Sequence, residues 1–410
     1  MESNLRSLPI ICLIIAESLS LLGNQIAAVA IPVLVLQFTH SALIVGIASA
    51  GNIIPIVLAA IFGGRAIDRF GASNISVCAD ILSFFSVLAL PLAFIYFAPV
   101  SPLLIFLLVF FGALFDPTGI SARQTMVPSL VKLSGKSLQK INSWRGGLEN
   151  GADFLGPVIG VSLIGWTGIA NTFYINAVTF LLCASIFAIA IPKKREIQSM
   201  GNRDAASGSL KKGITFIFKQ PQIRPLAIIG MVANFAILPF LSLLLPVLAT
   251  QKFGSNTLLG TSLSVFGLAA TIGAASFSLL SNRFSRSAIY YGGLLVTGGS
   301  IMLCALATNK YEVILFAALA GLLLGAGNPL QQTILQEQTP ENIAGQVFTS
   351  LTAIHFIGGP FGLLLAGIIT ELSHIEMVFL LTGSLLIASA IFGWYRLPLL
   401  RSNRYLTNRS

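Results

Sequence analysis

The sequence predicts an all-α polytopic membrane protein with twelve transmembrane helices in two six-helix, pseudo-symmetric halves. Hydrophobic residues make up 55% of the 410 residues and charged residues only 9%, too little polar surface to cover a soluble globule of this size. The apolar residues fall into runs of roughly 20 residues or more, the length that crosses about 30 Å of hydrocarbon. One long polar segment separates six of these runs from the other six.

The individual spans follow from hydropathy along the chain. We expect them at residues 8–36, 43–62, 75–96, 103–126, 138–165, 170–191, 223–250, 257–281, 288–307, 312–335, 343–371 and 377–397. Residues 1–191 then form the N-terminal half, 192–222 a cytoplasmic linker, 223–397 the C-terminal half and 398–410 a cytoplasmic tail.

The basic residues indicate the orientation of the chain. Twelve spans place both termini on one side of the membrane. If that side is the cytoplasm, only Lys252 and Lys310 of the 24 Lys and Arg residues fall in the opposite loops, and Arg145 lies within a span. This distribution satisfies the positive-inside rule. The net charge of +10 therefore indicates topology, and we expect no nucleic-acid partner.

The two halves repeat polar, glycine and proline residues in register. Asp116-Pro117 in the fourth span recurs as Asn328-Pro329 in the tenth, and Gly156-Pro157 in the fifth recurs as Gly359-Pro360 in the eleventh. The stretch DRFG after the second span recurs, altered, as NRFS after the eighth. Chance similarity between apolar segments does not match polar residues in this way. The repeats indicate an internal duplication, which is the architecture of secondary transporters with a central site between repeats.

The connection between the second and third spans, GGRAIDRFG at residues 63–71, combines charges with glycines. It resembles a loop motif of the major facilitator superfamily, G-x-x-x-D-R-x-G, although Ala72-Ser73 replaces the two basic residues that follow in the family. The matching residues are Gly64, Asp68, Arg69 and Gly71. The resemblance implies that superfamily's fold and a gate in which Asp68 and Arg69 make contacts that break when the cytoplasmic side opens. A solvated positive-inside loop is the alternative.

A second motif lies in the fifth span, where Gly156, Pro157 and Gly160 resemble the superfamily's antiporter motif, g-x-x-x-G-P-x-x-G-G. Ala152 and Val161 replace its outer glycines. Glycine and proline at these positions permit close helix packing and a bend, and packing alone is the alternative interpretation. The resemblance favours export over uptake.

Within the superfamily, the sequence is similar to the macrolide-efflux and enterobactin-exporter group. This likeness rests on the following stretches: Thr39–Ala42 with Val45-Gly46, Asp68-Arg69, the turn at Arg123–Pro128, and Phe173–Ala177 with Phe180. Residues 103–115 contain no Arg, unlike many drug/proton antiporters early in the fourth span. The proton relay of those antiporters is therefore not carried over to this chain.

Ionisable side chains within the spans are the next candidates, because each costs at least about 2.5 to 3.5 kcal/mol to insert. Glu17 and Glu149 lie near the midplane, about 14 Å and about 16 Å from their span ends. Arg145, Glu149 and Asp153 share one face of the fifth span, and we expect Arg145 to neutralise Glu149. Burial favours the neutral acid and the guanidinium favours the carboxylate, so Glu149 is a candidate for proton exchange. The alternative is a static ion pair that stabilises helix packing.

Asp80 and Arg123 lie nearer the cytoplasmic ends of their spans. We predict that they form a gate cluster with Asp68 and Arg69. Asp116 lies deeper in the fourth span, and we predict that it faces the transport cavity.

The second half offers mostly uncharged polar side chains, and we predict that they contact substrate. They are Asn234, Asn328, Gln331, Gln332 and His355. His355 could change charge near neutral pH, and a hydrogen-bonded packing role is the alternative. The asymmetry suggests that the first half handles protons and the second half shapes the substrate site.

These observations predict a proton-coupled exporter of a small, amphiphilic molecule of the drug or siderophore class, working by alternating access. A proton-coupled importer of a small metabolite is the first alternative, and a membrane-embedded enzyme or sensor is the second. The sequence contains no P-loop, zinc motif or nucleophile elbow, and its four cysteines have no paired spacing. We therefore predict no enzymatic activity, metal or cofactor, with the proton gradient as energy source. We expect a monomer in the bilayer of a bacterial inner membrane.

Overall fold

The computed structural model describes residues 2–97, 99–135, 138–190, 210–340 and 343–396. Across these ranges nearly the whole chain is helical and no residue lies in a strand, so the all-α prediction is confirmed. The chain divides into two compact units, Met1–Ser207 and Gly208–Ser410.

The first unit contains the first six predicted spans. Its described helices are α1 (Glu2–Thr39), α2 (Ala42–Phe70), α3 (Ala72–Tyr96), α4 (Pro102–Ala113), α5 (Asp116–Ser134), α6 (Leu138–Thr167) and α7 (Ile169–Ala190). The predicted fourth span is a helix pair, because the chain breaks at Leu114-Phe115 and α5 starts again at Asp116. Pro117 fits the start of α5, since a helix does not use the N–H of its first residues.

The second unit contains the remaining six spans. Its described helices are α8 (Leu210–Lys219), α9 (Arg224–Pro239), α10 (Leu245–Val247), α11 (Asn256–Ala275), α12 (Phe277–Arg283), α13 (Arg286–Leu306), α14 (Lys310–Gln338), α15 (Ala344–Leu372) and α16 (Ile375–Arg396). Two π-helical segments, Phe240–Leu244 and Leu248–Lys252, flank α10 and complete the seventh span. Pro246, which has no N–H to donate, lies between them.

Eleven segments of the described chain are long and apolar enough to cross a membrane. The fifth predicted span, α6, is also long at 30 residues, but Arg145, Glu149 and Asp153 lower its hydropathy. With α6, each of the twelve predicted spans corresponds to one helix or to a run of consecutive helical segments, as in a multi-pass membrane protein.

The motif at residues 63–71 is helical rather than a loop, which corrects the sequence analysis. Gly64, Asp68 and Arg69 lie in the last turns of α2, which ends at Phe70. Gly71 has φ +84°, a conformation that favours glycine, and its N–H donates to the carbonyl of Ile67 at 2.8 Å. A single glycine therefore connects α2 to α3. The side chain of Asp68 lies outside the described structure.

Helix α1 organises the first unit because it packs against α5, α6 and α7. The core at this junction includes Ile10 and Leu13 of α1, Met126 of α5, Ile141 of α6 and Phe187 of α7, all of which are buried. Two of these neighbours, α5 and α6, carry charged side chains.

Candidate functional site

Asp80 of α3 and Arg123 of α5 form a buried ion pair. Nη2 of Arg123 donates to both carboxylate oxygens of Asp80, at 2.8 and 2.7 Å, and the side chains are 2% and 1% exposed for Arg123 and Asp80. Nε of Arg123 donates to Oγ of Ser76 at 2.7 Å, and Oγ of Ser20 donates to Oδ1 of Asp80 at 3.0 Å. The Phe187 ring centroid lies 4.9 Å from the guanidinium carbon. This cluster joins α1, α3, α5 and α7.

Arg69 does not join this pair, which corrects the predicted gate cluster. Its side chain is exposed, and its guanidinium carbon lies 5.4 Å from the ring centroid of Phe70. Arg69 is in the last turn of α2, whereas Asp80 is eight residues, or about 12 Å, inside α3. Ser20 and Ser76, which the sequence analysis missed, supply the partners instead. The gate role of Asp68 stays a prediction.

Glu17 of α1 and Arg145 of α6 form a second ion pair. Nε and Nη2 of Arg145 donate to the two carboxylate oxygens of Glu17, at 2.6 and 2.5 Å. The sequence predicted that Arg145 neutralises Glu149, and the structure corrects this because the partner is Glu17. A carboxylate on the facing helix can align both oxygens with the guanidinium edge, which gives two parallel charge-assisted hydrogen bonds.

A second polar contact joins the same two helices. Nε2 of Gln25 donates to Oδ1 of Asp153 at 2.5 Å. Gln25 follows Glu17 by eight residues, as Asp153 follows Arg145, so α1 and α6 keep the same register at both contacts. Gln25 was not predicted from the sequence, although its spacing of eight residues from Glu17 matches that of Asp153 from Arg145. We call the two contacts the α1–α6 polar ladder.

Glu149 lies between the two contacts of this ladder. It is one helical turn from Arg145 and one turn from Asp153. Its side chain is exposed, and it makes no hydrogen bond or ion pair with the described residues, although the charges of Asp153, Glu17 and Arg145 act on it. Glu149 can therefore gain or lose a proton without breaking either contact.

The glycines of the fifth-span motif pack against α1. A Cβ atom on Gly156 would collide with Cβ of Gln25, and one on Gly160 would lie 3.4 Å from Cα of Ile26. Pro157 is buried inside α6, which continues as a helix past it. The geometry thus supports the packing alternative for Gly156 and Gly160, because both allow α6 to approach α1 closely.

We expect Gly156→Ala to lower the free energy of unfolding by about 1 to 3 kcal/mol, since the added methyl must displace Gln25. Gly151→Ala, on the same helix, is the matched control because a Cβ there meets nothing within 4 Å. Denaturation of both variants in detergent measures the difference. Equal stability for the two variants would show that the Gly156 contact is not tight.

Asp116 lies at the break in the fourth span. Oγ of Ser83, on α3, is 2.8 Å from Oδ1 of Asp116 and 3.0 Å from the carbonyl oxygen of Gly112. The Asp116 carboxylate also occupies the first turn of α5, where the helix dipole favours negative charge. Asp116 therefore has local partners at the helix break, and its exposure to a cavity stays a prediction.

His355 of α15 has a packed, hydrogen-bonded environment. Its Nε2 is 3.1 Å from the carbonyl oxygen of Leu226, and its Nδ1 is 3.5 Å from Nε2 of Gln331. These partners assign the ring proton to Nε2. Gly230 lies directly against the ring. The arrangement supports the packing alternative for His355.

The remaining polar candidates of the second unit do not converge on His355. Nδ2 of Asn234 donates to the carbonyl of Gly230, one turn earlier on α9, at 3.1 Å. Asn328 and Gln332 are exposed on α14. Among the described residues, no group of three or more His, Cys, Asp or Glu side chains is placed to hold a metal ion.

Two exposed ion pairs of the second unit were missed by the sequence analysis. Arg286 and Glu337 join the start of α13 to the end of α14, with N–O distances of 2.6 and 2.7 Å. Lys252 and Glu376 lie 3.2 Å apart. Both pairs lie at helix ends, where charge is common in any membrane protein and is not a functional signal.

Comparison with known proteins identifies relatives along nearly the whole chain. The family model described as the Major Facilitator Superfamily matches residues 13–276 and 240–408. The chain is 29% identical to the multidrug efflux pump Tap of Mycolicibacterium fortuitum over 386 residues, which cover 92% of this chain and 93% of that protein. It is 28% identical to the multidrug efflux pump Tap of Mycobacterium tuberculosis over 398 residues, covering 96% and 94%.

Solved structures with the same fold include transporters of other solutes. The nucleoside transporter NupG has a TM-score of 0.77 and 14% identity, with 95% of this chain and 99% of that chain covered. A D-xylose–proton symporter has a TM-score of 0.69 and 16% identity, with 95% and 97% covered. At sequence identities this low, the structural similarity shows a shared fold and not a shared solute.

Proposed function

Because this chain belongs to the Major Facilitator Superfamily, we propose that it is a secondary transporter that exports a small amphiphilic molecule of the drug or siderophore class in exchange for protons. The export direction is supported by the similarity to two multidrug efflux pumps over more than nine-tenths of each chain. The solved D-xylose–proton symporter of the same fold does not determine the direction, since a similar fold hosts different activities.

The position of Glu149 is the observation on which the proposed proton coupling depends. A carboxylate within a membrane span, without a partner among the described residues, is costly to keep ionised and is a functional candidate by default. Glu17 and Asp153, in contrast, are engaged by Arg145 and Gln25. Of the acids around the α1–α6 polar ladder, Glu149 is thus the one whose protonation leaves the packing contacts intact.

Protonation of Glu149 changes the charge balance around Arg145. With Glu149 ionised, the Arg145 guanidinium interacts with the charges of both Glu17 and Glu149. Negative charges then outnumber positive ones in the group of Glu17, Arg145, Glu149 and Asp153. A proton on Glu149 removes one of these negative charges. A bound substrate with a positive or strongly polar end and a proton then compete for the same site, which is the requirement for antiport.

The remaining features of the proposal follow from the sequence. We propose that transport proceeds by alternating access, that both termini are cytoplasmic, and that the protein acts as a monomer in a bacterial inner membrane without a bound cofactor. The excess of Lys and Arg in the predicted cytoplasmic loops supports the orientation.

Transport into everted membrane vesicles tests the direction and the coupling together. With the interior acidified, we expect vesicles that contain the protein to accumulate an amphiphilic fluorescent cation, because protons leave the vesicle as substrate enters. Dissipating the pH gradient with nigericin should abolish this accumulation. Vesicles without the protein are the control. Gradient-driven uptake into right-side-out vesicles alone would favour the importer and overturn the proposal.

A further inference from the structure

Helix α8 lies in the segment that the sequence analysis assigned to a linker, and it is docked on the second unit. Ile217 is fully buried, and Gly213 is also buried. A Cβ on Gly213 would collide with Oγ of Ser350 and the carbonyl oxygen of Gln346 on α15. The opposite face of α8 presents Lys211, Lys212 and Lys219 to the outside. The helix is therefore amphipathic, with one face packed on α15.

An open groove of about 510 Å³ lies between the basic face of α8 and Ile343, the residue that precedes α15. Its lining consists of three lysines, a hydroxyl and two apolar side chains, and none of these six carries negative charge. They are Lys211, Lys212, Thr215, Phe216, Lys219 and Ile343. Three ammonium groups and a hydroxyl on an otherwise apolar surface match a ligand that joins a phosphate to a hydrocarbon region.

The position of the groove indicates where such a ligand comes from. Lys219 precedes α9, the start of the seventh span, by five residues, and Ile343 immediately precedes α15, the eleventh span. Both of these transmembrane segments therefore begin beside the groove. Basic amphipathic helices at the ends of membrane spans lie in the headgroup region of the bilayer.

We propose that this groove binds an anionic phospholipid, with the phosphate between the lysines of α8 and the proximal acyl carbons against Phe216 and Ile343. The two apolar side chains favour a lipid over a free phosphate ion, which would leave them without a partner. The proposal does not depend on the direction of transport or on proton coupling. It gives α8 a defined role, which is to attach the second unit to the charged surface of the membrane.

Lipid binding to the purified full-length protein in detergent tests the proposal. We expect saturable binding of a fluorescent phosphatidylglycerol and much weaker binding of phosphatidylcholine. Replacing Lys211, Lys212 and Lys219 together by Gln should weaken phosphatidylglycerol binding about five-fold per lysine, or on the order of 100-fold in total. The same three positions changed to Arg keep the charge and should retain binding, which separates lost charge from misfolding.

A second triple variant controls for overall charge. Lys132→Gln, Arg283→Gln and Lys310→Gln remove three exposed cations elsewhere, and we expect phosphatidylglycerol binding to be unchanged. Equal weakening in both Gln variants would mean that the lipid follows net charge, which overturns the site. Competition by inorganic phosphate at concentrations similar to those of the lipid would assign the groove to a soluble anion and overturn it as well.

Discussion

Arg123→Leu is expected to lower the free energy of unfolding by about 3 to 5 kcal/mol, the largest effect of any single substitution considered. The substitution leaves the Asp80 carboxylate buried at 1% exposure, with Ser20 as its remaining hydrogen-bond donor among the described residues. For a buried charge without its partner, no attraction offsets the free energy lost when its hydration is removed. Denaturation in detergent, monitored by far-ultraviolet circular dichroism, measures the loss.

Two controls separate the charge effect from the loss of packing around Arg123. The double variant Asp80→Leu/Arg123→Leu removes both charges, so we expect it to be more stable than Arg123→Leu alone. Arg286→Leu breaks the exposed pair with Glu337, whose side chains are 31% and 37% exposed, and should cost only about 0 to 1 kcal/mol. If the double variant loses as much as the sum of the two single variants, Asp80 and Arg123 are not energetically coupled.

Glu149→Gln is expected to abolish proton coupling while leaving the fold intact. Substrate addition to the purified wild type should release protons, and the variant should release none, because the amide cannot carry the exchanged proton. Gradient-driven accumulation in everted vesicles should fall at least about ten-fold. Counterflow of substrate, which needs no net proton movement, should persist. Stability should change by less than about 0.5 kcal/mol, since Glu149 has no described partner.

Glu17→Gln is the comparison for this prediction because it changes the other midplane acid to the same amide. Gln cannot offer Arg145 two charged oxygens, so we expect Glu17→Gln to reduce stability as well as transport. Proton release that persists in Glu149→Gln and disappears in Glu17→Gln would assign proton coupling to the Glu17–Arg145 ion pair instead. Release that persists in both variants would exclude coupling through either acid.

The two motifs illustrate how local sequence can identify a family and still misplace a structure. Residues 63–71 and 156–160 predicted the superfamily, and the match along the chain confirms it. The first motif nevertheless continues α2 to Phe70, and its turn is confined to Gly71. The residue pattern reports that a reversal occurs, whereas the residue at which α2 ends depends on the backbone conformation of Gly71.

The sequence by itself determined the all-α class, the twelve spans, the duplication and the ionisable residues within the spans, because hydropathy and charge are read from neighbouring residues. Only the tertiary structure decided the partners of those charges. Arg145 bonds Glu17 rather than Glu149, and Asp80 gains Ser20. These contacts join residues far apart in the chain, and they depend on how each helix is rotated and how closely it approaches the next. Periodicity within one helix does not specify that rotation, so packing selects which polar side chains meet.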